Sequence, residues 1–117
     1  MDGFDFFVNN FIEKEHRERW RFFKKKGWER VRKNLGQLEN QLDQNKTMLV
    51  QKNALDFAEK KIKELKLAPG KFIDFRGGES VLIDNNLEKI SSNSILVFES
   101  DKTAIYFHDE GWIYFCR

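Results

Sequence analysis

Apolar side chains recur every three or four residues from Ile12 to Leu42. At 100° per residue, Ile12, His16, Trp20, Phe23, Gly27, Val31, Leu35, Leu38 and Leu42 fall on one side of a single helix. Held over roughly 31 residues, that phase predicts one amphipathic helix about 46 Å long at 1.5 Å rise per residue. Such a rod exceeds the width of a domain of 117 residues, so the rest of the chain has to pack along it. Gly27, in the middle of the stripe, marks either a close approach of another helix or a break into two.

Thr47 is suited to cap a second helix. Its stripe is Met48, Gln51, Leu55, Ala58, Ile62 and Leu65, and it ends before the only proline, at Pro69-Gly70. The polar break Asp43-Gln44-Asn45-Lys46 then makes the two helices an antiparallel hairpin. Val50 and Phe57 lie off the second stripe, which predicts that this helix is sandwiched between the first helix and a sheet. Before the hairpin, Phe4, Phe7, Val8 and Phe11 have helical spacing but point away from the main stripe. They read as a separate short helix folded back over the core.

From Lys71 the period changes from 3.6 to 2, and β-branched and aromatic residues take over. Lys71–Phe75 and Ser80–Ile83 form a hairpin turned at Arg76-Gly77-Gly78. A polar loop follows over Asp84–Ser94, with one helical turn around Leu87–Ile90. Ile95–Glu99, Thr103–His108 and Trp112–Cys116 are three further strands joined by tight turns, with Gly111 suited to a positive φ. Turns that short make the strands antiparallel. The expected fold is α+β: an N-terminal long-helix hairpin (1–68) packed on a C-terminal antiparallel β-meander of about five strands (70–117), in one domain over 1–117.

Charge is 34% of the chain but nearly balanced at +2, so it is the distribution that informs. Residues 13–33 carry ten Lys/Arg against four Glu, and residues 70–117 carry five Lys/Arg against eight Asp/Glu. One cysteine, Cys116, excludes an internal disulfide and a multi-cysteine zinc site, and fits a reducing compartment. There is no apolar run of about 18 residues to span a membrane. The opening residues carry acids where a signal peptide carries bases, so the expected location is cytoplasmic and the start native.

Three candidate sites follow. The first is a sheet face bearing Tyr106, Trp112 and Tyr114, opposite the Ile105, Phe107, Ile113 and Phe115 face assigned to the helices. Bordered by Glu99, Asp101, Asp109 and Glu110, it reads as a docking surface for a basic protein. The alternative is a sheet face covered by the N-terminal segment. The second is the basic helix surface of Arg21, Lys25, Lys26, Arg32 and Lys33 around Phe22, suited to phosphates and base stacking. Against it, Glu15–Arg19, Lys25–Glu29 and Glu29–Lys33 are spaced to pair and weaken the field. The third is catalysis. His108-Asp109-Glu110 are neighbours in a turn, expected not to face one another. No phosphate-loop, dinucleotide or metal-ligand motif is present, so neither enzyme activity nor a cofactor or metal is expected.

In general character the chain resembles small bacterial or phage antagonist proteins, such as toxin-immunity proteins and nuclease inhibitors. The resemblance is of type, covers no defined motif and transfers no residues. It implies a cytoplasmic protein-binding module that neutralises a toxin or nuclease by occupying a basic site. Nucleic-acid binding is the alternative, a homodimer through the helical hairpin is a third reading, and no membrane partner is expected.

Overall fold

The computed structural model describes residues 2–76, 78–82, 85–87, 90 and 93–117. Six strands carry the architecture: β1 (Thr47–Val50), β2 (Gly70–Asp74), β3 (Gly78–Leu82), β4 (Ser94–Phe98), β5 (Thr103–Phe107) and β6 (Ile113–Cys116). They form one antiparallel sheet in the order β1-β6-β5-β4-β2-β3. The C-terminal half therefore folds as its period predicts, and α+β holds. The arrangement is not a plain meander: β3 runs out to one edge, and the chain returns so that β4 pairs with β2. The predicted loop between them falls partly outside the described residues, as do Gly77 of the hairpin turn and Ile83 of the predicted second strand; the Ile90 N–H bonds to the Leu87 carbonyl within that loop.

The sixth strand corrects the predicted second helix. Thr47 does not cap a helix; it opens β1, and its hydroxyl donates to the Asp43 carbonyl. Thr-Met-Leu-Val is a β-prone run, and β6 offers it an open edge, with Leu49 opposite Tyr114 and Val50 opposite Ile113. The helix begins only at Ala54, after Asn53 in a left-handed conformation at φ 52°. Its buried stripe is Ala54, Ala58 and Ile62, whereas Met48 and Leu55, both assigned to the stripe, are exposed.

The first helix is corrected more deeply. No 46 Å rod exists; the whole molecule measures 35 × 27 × 26 Å. Residues 3–42 form α1 (Gly3–Phe11), a 3₁₀ turn at Lys14–His16, α2 (Arg17–Lys26), α3 (Trp28–Lys33) and two further 3₁₀ turns, Leu35–Gln37 and Glu39–Gln41. The chain bends at Ile12 and Glu13, whose backbone is extended. It breaks at Gly27, whose φ of 122° lies outside the helical range that residues with a Cβ adopt. The two ends of the expected rod meet: Ile12 bridges Leu42, the Glu13 N–H donates to the Gln41 carbonyl at 2.8 Å, and the Asp43 N–H donates to the Phe11 carbonyl at 2.7 Å. The segment doubles back on itself. Its stripe residues Ile12, Trp20, Phe23, Val31, Leu38 and Leu42 are nonetheless all buried in one cluster. The periodicity reports which side faces the core and is blind to whether the axis is continuous.

The sheet is the middle layer. On one face α1 to α3 pack Phe4, Phe7, Phe11 and Trp20 against Ile73, Phe75, Ile95, Val97, Ala104, Tyr106 and Cys116. On the other, α4 (Ala54–Glu64) packs against Leu96, Phe98, Ile105, Phe107, Ile113 and Phe115. No helical hairpin forms, and the second long helix is not sandwiched between the first and the sheet; the two helical layers sit on opposite faces. The short N-terminal helix covers the core as expected, with Phe4, Phe7, Val8 and Phe11 buried. It is fastened at its start by two carboxylates. Asp2 accepts from the Asp5 N–H at 2.7 Å and pairs with Lys24 at 2.6 Å. Glu79 on β3 accepts from the N–H groups of Gly3 and Phe4 at 3.1 and 2.7 Å.

Candidate functional site: the β5–β6 corner

Two covered faces leave only strand ends, sheet edges and outer helix surfaces in contact with solvent, and this decides the fate of the aromatic docking face. Tyr106, at 1% exposure, is core. Tyr114 and Trp112 are half-buried. The acidic border also divides. Glu99 and Asp101 sit in the β4–β5 turn, at the end of the sheet opposite the β5–β6 turn that holds Asp109 and Glu110. Glu99 is moreover paired with Lys71 at 3.1 Å. The sequence-derived set of seven is thus not one surface. Trp112, Tyr114, Asp109 and Glu110 remain together.

They are joined by a residue that periodicity had no means of selecting. Glu39, in the 3₁₀ turn Glu39–Gln41 of the N-terminal layer, accepts a hydrogen bond from the Tyr114 hydroxyl at 2.7 Å. Its same oxygen lies 3.3 Å from His108 Nε2. The turn is anchored from below by the Trp20 indole N–H, which donates to Gln41 Oε1 at 2.6 Å. The partners in this corner are some 75 residues apart in the chain, and no local pattern announces them.

His108 organises the turn. Its N–H donates to the Trp112 carbonyl, and its carbonyl accepts from the Gly111 N–H. Its ring stacks on Trp112 at 4.6 Å and 16°, next to the Tyr106–Tyr114 stack at 5.8 Å and 19°. Nδ1 accepts from the Glu110 N–H at 3.0 Å and lies 3.0 Å from Asp109 Oδ1. These contacts are alternatives: a neutral ring accepts from Glu110 through Nδ1 and donates to Glu39 through Nε2, whereas an imidazolium donates to Asp109 as well. The expectation that His108 and Asp109 do not face each other is corrected by that contact; a tight turn brings neighbouring side chains together when the ring folds back over it.

Electrostatics follow from burial and from Glu39. Tyr114 is pushed up to about 12, first by burial and then by its hydrogen bond to the Glu39 carboxylate and that group's charge. Tyr106 is raised further, by burial above all. The Trp112 indole N–H is buried without a hydrogen-bond acceptor among the described residues. Cys116 is wholly buried, which pushes its thiol up and holds it protonated, the opposite of a reactive thiolate. The other histidine, His16, lies in the Lys14–His16 turn beside Glu15. There Glu13, Glu15 and His16 bring three donor atoms within 4.8 Å of one another. Of the three, only Glu15 lines the neighbouring groove, which it shares with Glu18 and with the cations Lys14, Arg17 and Arg21.

The basic surface also divides. Arg21, Phe22, Lys25 and Lys26 are exposed together on α2. Arg32 and Lys33 lie beyond the Gly27 break on α3. Arg32 donates to the Phe75 carbonyl at 3.0 Å, and Lys33 pairs with Glu29 at 3.6 Å. Among the described residues no helix is long and apolar enough to cross a membrane. No protein-family model, no curated protein and no solved structure matches the chain.

Proposed function

We propose that this chain is a small protein-binding module of the inhibitor or immunity type, without a reaction of its own. In this reading it acts in the cytoplasm, where its lone cysteine stays reduced, and its contact surface is the β5–β6 corner. The observation that carries the reading is the placement of Glu39. Its carboxylate is held by the Tyr114 hydroxyl and by His108, beside the exposed Asp109 and Glu110. Among the described residues no lysine or arginine pairs with any of the three. One fixed carboxylate and two exposed ones, next to the half-buried ring of Trp112, complement a basic patch such as the anion-binding site of a nuclease or toxin. They would steer its approach and fix its register.

The test is affinity capture from the source cell with the wild-type chain and with an Asp109→Lys/Glu110→Lys variant, the bound protein being identified by mass spectrometry. A basic enzyme retained by the first and lost by the second, with circular dichroism unchanged, is the expected result. Equal capture by both chains refutes the corner as the contact surface.

A further inference from the structure

The sequence offers three i,i+4 ion pairs, from Glu15 and Glu29, to neutralise the basic helix surface, and the fold keeps only one. Glu15 turns to His16 at 3.5 Å. Glu29 pairs with Lys33 at 3.6 Å. Lys25 and Glu29 cannot share a helix face, because α2 ends at Gly27. Among the described residues, Arg21, Lys25 and Lys26 then have no carboxylate partner. The Arg21 guanidinium donates to the Asn9 side-chain carbonyl, a neutral acceptor that orients it and leaves its charge intact. Arg21 and Lys25 stand one turn apart as a like-charge pair, an arrangement that works against the helix. In their midst Phe22 is 49% exposed, with the Lys26 ammonium 5.4 Å over its ring. The neighbouring Phe23 is buried and fixes the position of α2 on the core.

We propose that the outward face of α2 binds single-stranded nucleic acid, with Arg21, Lys25 and Lys26 on backbone phosphates and Phe22 stacked on a base. Each part follows from the arrangement. Cations without counter-ions on a rigid helix suit a phosphate chain, whose charge repeats. A half-exposed ring between them needs an unstacked base face, which a duplex hides and a single strand presents. A membrane surface is a poorer fit, because Trp20 and Phe23 of α2 are committed to the core and leave one apolar side chain outward. Glu15 and Glu18 line the groove at the start of α2, so the contact begins at Arg21 and runs toward Lys26.

The experiment is fluorescence anisotropy of a labelled oligothymidylate titrated with the full chain at several salt concentrations. Binding at low salt is expected, with a log–log salt slope of about −2 for three phosphate contacts. Arg21→Glu/Lys25→Glu should weaken it at least about tenfold, and Phe22→Ala about fivefold or more with the slope unchanged. Lys60→Glu/Lys63→Glu, which makes the same charge change on exposed positions of α4 across the sheet, should leave affinity as it was. Any one of four results overturns the proposal: no binding at low salt, equal loss in the α4 variant, no effect of Phe22→Ala, or tighter binding of the corresponding duplex. Circular dichroism of each variant separates loss of contact from loss of fold. The capture experiment on the β5–β6 corner is independent of the outcome.

Discussion

Glu39→Gln probes the corner through a group that can be observed directly. The chain has two tyrosines, so Tyr106→Phe leaves Tyr114 as the only phenol, and its ionisation is read as tyrosinate absorbance in the near ultraviolet. In the parent, burial is the largest cause of the upward displacement to about 12, and the Glu39 hydrogen bond and charge come next. Glutamine keeps an acceptor of the same shape and removes the charge. A hydrogen bond to a charged partner contributes about 1.5–3 kcal/mol, and partial exposure places this one at the low end. At about 1.4 kcal/mol per pH unit, the midpoint should fall by about one pH unit, while burial keeps it above the ordinary 10.0. The sign of the linked stability change follows. The folded state holds the proton between pH 10 and about 12, where the unfolded chain releases it. Stability is therefore full below pH 10 and declines as pH rises through that window. Urea midpoints should decline less steeply there in Glu39→Gln than in its parent. A midpoint that stays put or rises refutes the role assigned to Glu39, provided circular dichroism shows both proteins folded at the pH of measurement.

Three further outcomes are expected. Asp2→Ala removes the cap of α1 and the partner of Lys24, and should cost about 1–2 kcal/mol by urea denaturation at neutral pH. Burial works against the Asp2 charge, but the Lys24 and Asp5 hydrogen bonds outweigh it and lower its pKa from 3.8; this contribution is present above that value and lost as pH falls through the folded one, so the variant should show a flatter acid limb. Gly70→Ala places a Cβ 2.9 Å from side-chain atoms of both Leu96 and Phe98 and 3.1 Å from the Val97 carbonyl, and should lower the thermal midpoint through about 1–3 kcal/mol of overpacking. Cys116 should resist a disulfide-exchange reagent in the native protein and react on addition of denaturant, since its sulfur is buried and stays a thiol; rapid native labelling would contradict its place in the core.

What could be read from the chain before its structure was side, more than path. The stripe from Ile12 to Leu42 named six core residues correctly and still misdescribed the backbone, because burial against one sheet face imposes the same side on successive short helices. Gly27 in mid-stripe was the one local sign of a break; the pairing of Ile12 with Leu42 left no local sign. Thr47–Val50 is β-prone by residue type yet continues into a helical stripe, and what decides is β6, far along the chain, which supplies hydrogen-bond partners that water would otherwise provide. Glu39 escaped for a related reason: its role exists only once its turn is folded over Tyr114 and His108.

The misplaced docking face has a sharper cause. Every position of β4 and of β5 is buried, and Ile95-Leu96-Val97-Phe98 and Ala104-Ile105-Tyr106-Phe107 are unbroken apolar runs. Such runs indicate strands covered on both sides, whereas one-sided burial produces alternation. Neither β4 nor β5 therefore has a wet face, and Tyr106 is buried despite its polar tip. A sheet covered on both faces has no broad surface to lend to a partner. Recognition by such a fold has to use the ends of strands, the sheet edges or the backs of helices. Two such places set charge beside a partly exposed ring: Glu39, Asp109 and Glu110, with no lysine or arginine partner among the described residues, next to Trp112 at one strand end, and Arg21, Lys25 and Lys26, with no carboxylate partner among them, around Phe22 on the back of α2.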